Sequence, residues 1–313
     1  MAIEQTAPTG IGEVAAAKPA APTAATRPLS RRSRVEMVLF LLPAFIFQLV
    51  WGWYPLVVAF VLSFTNARVR GPLSFTGLES YLRMANDPLV ARAFQVTITY
   101  AVMSIVLTFV IPILVAIFLM EMPPRRMRWM MLLWFLPLSS IASTILWRYI
   151  YNAQYGLMQY IATQILGLPP QRFLNDPGQV LFWLIFPGIL LFGPGLIYMA
   201  ALQGIPASYY EAAEVEGASF WRKIWTISLP RLRPVISMLL TFAIIGTLQE
   251  FTWPQIMTGG EPGGASRTVV MYMYSIWGNL RFADATALAI MLFALIMAIT
   301  IVYRTFFKED PDV

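Results

Sequence analysis

The sequence predicts an all-α polytopic membrane protein with six transmembrane helices, and three observations carry that reading. Of 313 residues, 58% are hydrophobic and only 12% charged, where an average soluble domain carries about 25% charged residues. Mean hydropathy is +0.66. The apolar residues also gather into uncharged runs of about 20 residues, the length a helix needs to cross the hydrocarbon core.

In chain order the runs are Met37–Phe64, Ala93–Met120, Trp129–Trp147, Val180–Gln203, Pro234–Gln249 (extending to Met257) and Ala285–Tyr303. Before them, Met1–Arg34 is rich in Ala, Pro and Thr. It cannot bury enough surface to offset chain entropy, so a disordered tail is expected there. The run that follows is far longer than a signal-peptide core and has no clear cleavage site, so it is expected to stay as the first span. Tyr149–Gln171 lacks charge but holds Asn152, Gln154, Gln159, Thr163 and Gln164. Leu157, Met158, Ile161, Ile165 and Leu166 share one face at helical spacing, which predicts a helix lying in the membrane interface. Thr268–Leu280 is too short to cross and rich in Tyr and Trp, so it either dips in or lies flat. The membrane-spanning body covers 35–308, and 309–313 forms a short second tail.

Six spans put both termini on one side. That side carries Lys18, Arg27, Arg31, Arg32, Arg34, Arg125, Arg126, Arg128, Arg222, Lys223, Arg231, Arg233, Arg304 and Lys308. The other carries Arg68, Arg70, Arg83, Arg92, Arg148, Arg172, Arg267 and Arg281. The positive-inside rule places the termini, and the loop before the fifth span, in the cytoplasm. Topology also explains the net charge of +6 better than nucleic-acid binding does, because the basic residues are scattered beside apolar runs. With no cysteine and no histidine there is no disulfide framework, thiolate chemistry or Ser-His-Asp triad. No metal site and no catalytic residue is expected.

The loop Glu211–Pro230 reads EAAEVEGASFWRKIWTISLP, a charged stretch between two apolar runs. Ser208 followed by Glu211 has capping-box spacing, predicting a short helix over Ala207–Val215. Ala212 and Ala213 are small enough for a partner's close approach, and Tyr209 and Tyr210 offer stiff contact area. Gly217 can take positive φ and reverse the chain. Phe220–Ile227 would form a second short helix that Pro230 and Pro234 end. On spacing alone, two readings stand: a handle for another protein, or an amphipathic loop on the headgroups.

The loop resembles the signature E-A-A-x3-G-x9-I-x-L-P of binding-protein-dependent ABC importer permeases. Glu211, Ala212, Ala213, Gly217, Ile227, Leu229 and Pro230 match every fixed position. Glu216 stands where the family often has Asp. Leu202–Pro206 resembles the segment that leads into the motif in carbohydrate permeases. Met257–Pro262, with Thr268 and Tyr272, is similar to an L-T-G-G-G-P…T…Y segment of maltose- and glycerol-phosphate-type permeases, with Glu261 in place of the third glycine. Gly77-Leu78 with Tyr81, and Gly156-Leu157 with Gly167-Leu168, also fit.

The resemblance covers about Val35–Phe307 and implies the type I ABC importer permease fold. It implies that the loop is a coupling helix seated on a cytoplasmic ATPase, with Tyr209, Tyr210, Glu211, Ala212, Ala213, Gly217, Ile227, Leu229 and Pro230 as the coupling residues. The partners it implies are two ATP-binding cassette subunits, a second homologous permease, an extracytoplasmic sugar-binding protein and the lipid bilayer. The chain has no G-x4-G-K-[ST], hence no phosphate-cradling loop of its own. ATP and Mg are therefore expected on partner subunits, with no cofactor bound by this chain.

For a substrate path, Glu250 is the one acidic residue the spans as read contain, and intramembrane ionisable groups are costly and often functional. Gln249, Glu250, Thr252 and Trp253 combine hydrogen-bonding groups with an indole face suited to a sugar. Gln249 and Trp253, four apart, would share a helical face. A structural ion pair or a position near the interface is the alternative for Glu250. Gly193-Pro194-Gly195 must kink the fourth span, and Tyr198 follows it as a further path candidate. A self-contained secondary transporter of small polar solutes would call for more intramembrane charge and repeated halves. A membrane-embedded enzyme would call for clustered catalytic groups.

Overall fold

The computed structural model describes residues 31–67, 72–134, 141–191 and 195–306. Its elements are helical. The N-terminal unit, Met1–Pro55, holds α1 (Arg31–Gln48) and a π-helical turn, Leu49–Trp53. Helix α2 (Tyr54–Leu62) follows. Helix α1 starts at Arg31, so the expected tail boundary at residue 34 moves back by one turn; the rest of that tail lies outside the described residues.

The second unit, Leu56–Val313, is built on α4 (Pro88–Met120), preceded by the short α3 (Glu79–Ala85). At 1.5 Å per residue α4 is about 50 Å long. Pro88 opens it, where a missing N–H costs nothing, and Asp87 caps it by accepting from the Leu89 N–H at 2.9 Å. The helix thus starts at Pro88 rather than at the expected Ala93. Then come α5 (Pro124–Trp134), α6 (Ile141–Ile150), α7 (Leu157–Tyr160), α8 (Val180–Leu191) and α9 (Gly195–Gln203). The expected third span is represented by α5 and α6 and the fourth by α8 and α9. The intervening residues, including Gly193 and Pro194 of the expected kink, lie outside the described residues.

Helix α10 (Ala207–Val215) leads through α11 (Phe220–Lys223) into α12 (Leu229–Leu248). Helices α13 (Thr252–Met257), α14 (Val269–Gly278) and α15 (Phe282–Phe306) complete the chain. Among the described residues, Val35–Leu62, Pro88–Met120, Phe220–Leu248 and Phe282–Phe306 are long and apolar enough to cross a membrane. The last starts at Phe282 rather than Ala285.

Helix α4 packs against α8, α9, α12 and α14, and α15 packs against α3, α12 and α14. Alanines at the contacts (Ala93, Ala101, Ala116, Ala285) are buried and let backbones approach closely, as membrane helix packing requires. One core joins Leu248 of α12, Val269 and Tyr272 of α14, and Leu288 and Leu292 of α15. A second, aromatic core holds Trp147, Tyr151, Phe173 and Leu184. A third joins Phe109 and Ile113 of α4 to Tyr198 and Met199 of α9 and Leu232 of α12. Helix α14 is packed into the bundle: Val269, Met271, Tyr272 and Ile276 are buried against α4 and α15. In the Tyr149–Gln171 segment the helix is confined to Leu157–Tyr160 and a π-helical turn, Ile161–Ile165. Leu157, Ile165 and Leu166 are exposed.

Candidate functional site

The candidate site has two parts, one at each end of the helix that contains α12. At one end a helical hairpin projects from the bundle. Helix α10 closes with Glu216, after which Gly217 takes φ +74°. The Ala218 N–H donates to the Ala213 carbonyl at 2.9 Å and the Gly217 N–H to Glu214 at 3.0 Å, the paired bonds of a Schellman closure. A Cβ at Gly217 would meet nothing within 4 Å. The glycine is therefore required by its backbone angle, not by crowding. Ser219 then caps α11, accepting from the Arg222 N–H.

Two expectations for this hairpin are corrected. Ser208 does not cap α10: Pro206 occupies the cap position with extended geometry and no side-chain bond, which leaves Ser208 inside the helix. Nor do Pro230 and Pro234 end a second short helix. A π-helical turn, Ile224–Ser228, links α11 to α12, with the Leu229 N–H reaching back to the Ile224 carbonyl. The widened turn accommodates Pro230, the second residue of α12, without breaking the helix. Phe220–Leu248 is one continuous helix.

The motif residues divide by exposure. Glu211, Ala212, Glu214, Glu216 and Gly217 are exposed, and Val215 at the tip is 90% exposed. Ala213, Ile227, Leu229 and Pro230 are half-buried. Tyr210 turns inward, its hydroxyl 3.0 Å from the Ser228 Oγ. The Arg231 guanidinium lies 4.6 Å from the centre of the Tyr209 ring, and Lys223 Nζ donates to Glu214 Oε1 at 2.8 Å. Beside them a cavity of about 250 Å³ is lined by Ile117, Glu121, Leu202, Tyr210, Glu214, Lys223 and Ser228, among others.

At the other end, α12 stops at Leu248. Gln249 is its C-cap residue, and Phe251, with φ −128° and ψ −46°, precedes α13. Glu250 is therefore not within a helical span but in the break, and Gln249 and Trp253 do not share a helical face. The physical cause is local. Glu250 Oε1 accepts from the Trp253 N–H at 3.1 Å, satisfying a free donor at the start of α13. The Thr268 hydroxyl donates to the Glu250 carbonyl at 2.9 Å. These bonds replace those a continuing helix would have made. Gln249 and Thr252 are exposed and Glu250 and Trp253 half-buried, with Trp253 packed on the aromatic core. Tyr198 is elsewhere. It is fully buried in the α4–α9 core, edge-on to Phe109 at 6.0 Å, and touches no solvent in this conformation.

Sequence reasoning missed a second polar feature at this end of α4. Arg92, Gln95 and Thr99 lie on one face and line a cleft of about 270 Å³ with Met103, Phe182 and Ala265, among others. Their spacing of three and four residues was the available signal. Among the described residues no group of three or more acidic, histidine or cysteine side chains could hold a metal ion.

Residues 86–308 match the model of the family described as binding-protein-dependent transport system inner membrane component. The chain is 32% identical over 238 residues to the trehalose/maltose transport system permease protein MalF of Thermococcus litoralis, covering 73% of this chain and 78% of that one. It is also 32% identical over 290 residues to the sulfoquinovosyl glycerol transport system permease protein SmoG of Agrobacterium fabrum, covering 89% and 92%. Among solved structures, a chain of a bacterial alginate ABC transporter in complex with an alginate pentasaccharide-bound periplasmic protein superposes with a TM-score of 0.78 at 21% identity, over 88% of this chain and 95% of that one. The likeness places the fold among ABC transporter permeases. The hairpin with its complete signature and the family match over most of the chain agree: this protein belongs to the binding-protein-dependent transport system inner membrane component family.

Proposed function

We propose that the chain is the membrane-spanning permease of an ATP-driven importer that takes up a carbohydrate handed over by an extracytoplasmic solute-binding protein. The observation that carries this is the hairpin. It presents Glu211, Ala212, Val215 and Gly217 outward on a helix closed by a Schellman turn, and the chain has no phosphate-binding loop of its own. A rigid, exposed knob of small and acidic residues is suited to a groove on a partner, which supplies the ATP and Mg chemistry. Two ATPase subunits and a second, homologous permease complete the assembly, with the hairpin and both termini cytoplasmic. Relatives named for maltose, trehalose and sulfoquinovosyl glycerol transport support the carbohydrate class.

The cycle is alternating access. Closure of the ATPase pair displaces the α10 hairpin, the spans rock, and the path opens toward the docked binding protein; hydrolysis resets the inward-facing state. In the path, Gln249, Glu250, Thr252 and Trp253 supply amide, carboxylate, hydroxyl and indole groups at a helix break, where backbone groups and side chains can face a cavity. Tyr198 is not assigned to it, because it is buried.

The test of coupling is Gly217→Glu, which forces an acidic side chain into a left-handed backbone position at the proposed contact. Insertion should persist while ATP-dependent uptake is lost; normal uptake would overturn the assignment. For the path, Glu250→Gln keeps an oxygen acceptor for the Trp253 N–H but removes the charge. It should impair uptake with ATPase assembly intact. Unchanged uptake kinetics in both Glu250→Gln and Trp253→Ala would remove these residues from the path.

A further inference from the structure

Helix α10 is tied to the following helix by three contacts, and together they say how the hairpin transmits force. Glu214 pairs with Lys223 at 2.8 Å near the tip, Tyr210 bonds Ser228 at 3.0 Å, and Tyr209 lies under Arg231. The acceptors and donors on the second leg, at 223, 228 and 231, follow one another along a single continuous helix that runs from Phe220 to Leu248. Its 29 residues span about 43 Å at 1.5 Å per residue.

The weak point of that helix nearest the hairpin is the π-helical turn at Ile224–Ser228. Such turns are where helices bend. Ser228 closes the turn and is 4% exposed. The Tyr210 hydroxyl therefore fastens α10 onto the segment that would otherwise flex. The adjoining cavity of about 250 Å³, lined on its far side by Ile117 and Glu121 of the α4 end, leaves room for α10 to swing if it is released.

We propose that Tyr210 and Ser228, reinforced by Glu214 and Lys223, are positioning residues that brace the hairpin to α12, so that hairpin and helix move as one lever. A displacement imposed on α10 is then delivered to the break at Gln249–Glu250 and is not absorbed in the loop. Tyr210 acts by holding the hairpin rigid, not by touching the partner. The proposal rests on the coupling role given above, and its test separates the two.

The chain contains no cysteine, so spin labels can be placed at Val215→Cys and Gln249→Cys, both exposed positions, in the full transporter with its ATPase subunits. Braced, the pair should give one narrow distance distribution that is the same without nucleotide and in the ATP–vanadate trapped state. Tyr210→Phe, which keeps the ring and removes the hydroxyl, should broaden the distribution and make it shift with nucleotide. It should also lower transport per ATP hydrolysed roughly fivefold, the scale of one neutral hydrogen bond. Ser228→Ala should do the same, and the double variant no more, because both remove one bond. A wild-type distance that shifts with nucleotide, or a Tyr210→Phe distribution as narrow as wild type, overturns the brace. Failure of the coupling role reads differently: the Val215 label alone would show no loss of mobility when the ATPase subunits assemble.

Discussion

The two ends of the Phe220–Leu248 helix are held in different ways. At the Glu250 end the Thr268 hydroxyl ties the break to α14, and α14 and its surroundings on α3, α4 and α15 are joined by a partly buried polar network. Asp284, 2% exposed, accepts from Arg83 at 2.8 and 3.0 Å and from Arg281 at 2.7 Å. The Tyr272 hydroxyl donates to Asp87 at 2.8 Å, and the Val269 N–H to the Thr97 Oγ1 at 2.9 Å. At the hairpin end three side-chain contacts join the two legs, two of them partly solvent-exposed, beside an open cavity. A buried network resists deformation because breaking any member strands a desolvated partner. An exposed brace is cheap to alter and so suits a part that is to be pushed by another subunit. The difference teaches that the elements around the break are held by more side-chain bonds, and more deeply buried ones, than the two legs of the hairpin.

The comparison can be broken most forcefully at Asp284. Asp284→Ala leaves two guanidinium groups without their shared acceptor. Each arginine side chain is 37% exposed, so solvent recovers part of the loss, and a cost of about 2 kcal/mol is expected. Thermal unfolding of the purified protein should show it as the largest drop of the variants named here. Next comes Thr97→Val, which removes the acceptor of a buried backbone N–H and should cost about 1–2 kcal/mol. Lys223→Gln, by contrast, breaks a pair whose carboxylate is 62% exposed and should cost less than about 1 kcal/mol. Equal losses at the two ends would erase the distinction.

The same two ends differ in how far they could be read from sequence. The hairpin was legible because its devices are local: Gly217 after a short helical run, small residues at 212 and 213, and a signature at fixed spacing. Its misreadings were local too, since Pro206 took the cap expected of Ser208 and a π-helical turn absorbed Pro230. The Glu250 end was misread for a different reason. An apolar run through Met257 looks like one span, but the break is set by Thr268, 18 residues away, and by Glu250 folding back on its own backbone. Arg83 reaches Asp284 across 201 positions. Bonds made at such separation leave no periodic trace. Tyr198 is enclosed by neighbours on α4, above all Phe109, a packing that its own segment does not announce.

The smallest expected effect tests why the lever is continuous. If Pro230 ended a helix, Pro230→Ala would fuse two segments and gain the helix propensity that proline forfeits, about 3 kcal/mol in a helix interior. In the structure Pro230 stands in the first turn of α12, directly after the Leu229 N–H has bonded the Ile224 carbonyl across the widened turn. The widened turn has already relieved the clash of the proline ring, so most of that figure is not open to alanine and thermal stability should change by less than about 0.5 kcal/mol. In a regular α-helix the ring of Pro230 would meet a carbonyl one turn back, so its presence favours the widened turn. Pro230→Ala should therefore loosen the π-helical turn before it changes stability. Spin labels on Val215→Cys and Gln249→Cys would report that as a modest broadening, smaller than the one Tyr210→Phe produces. A broadening as large would mean that the proline, and not the tyrosine brace, sets the angle between hairpin and span.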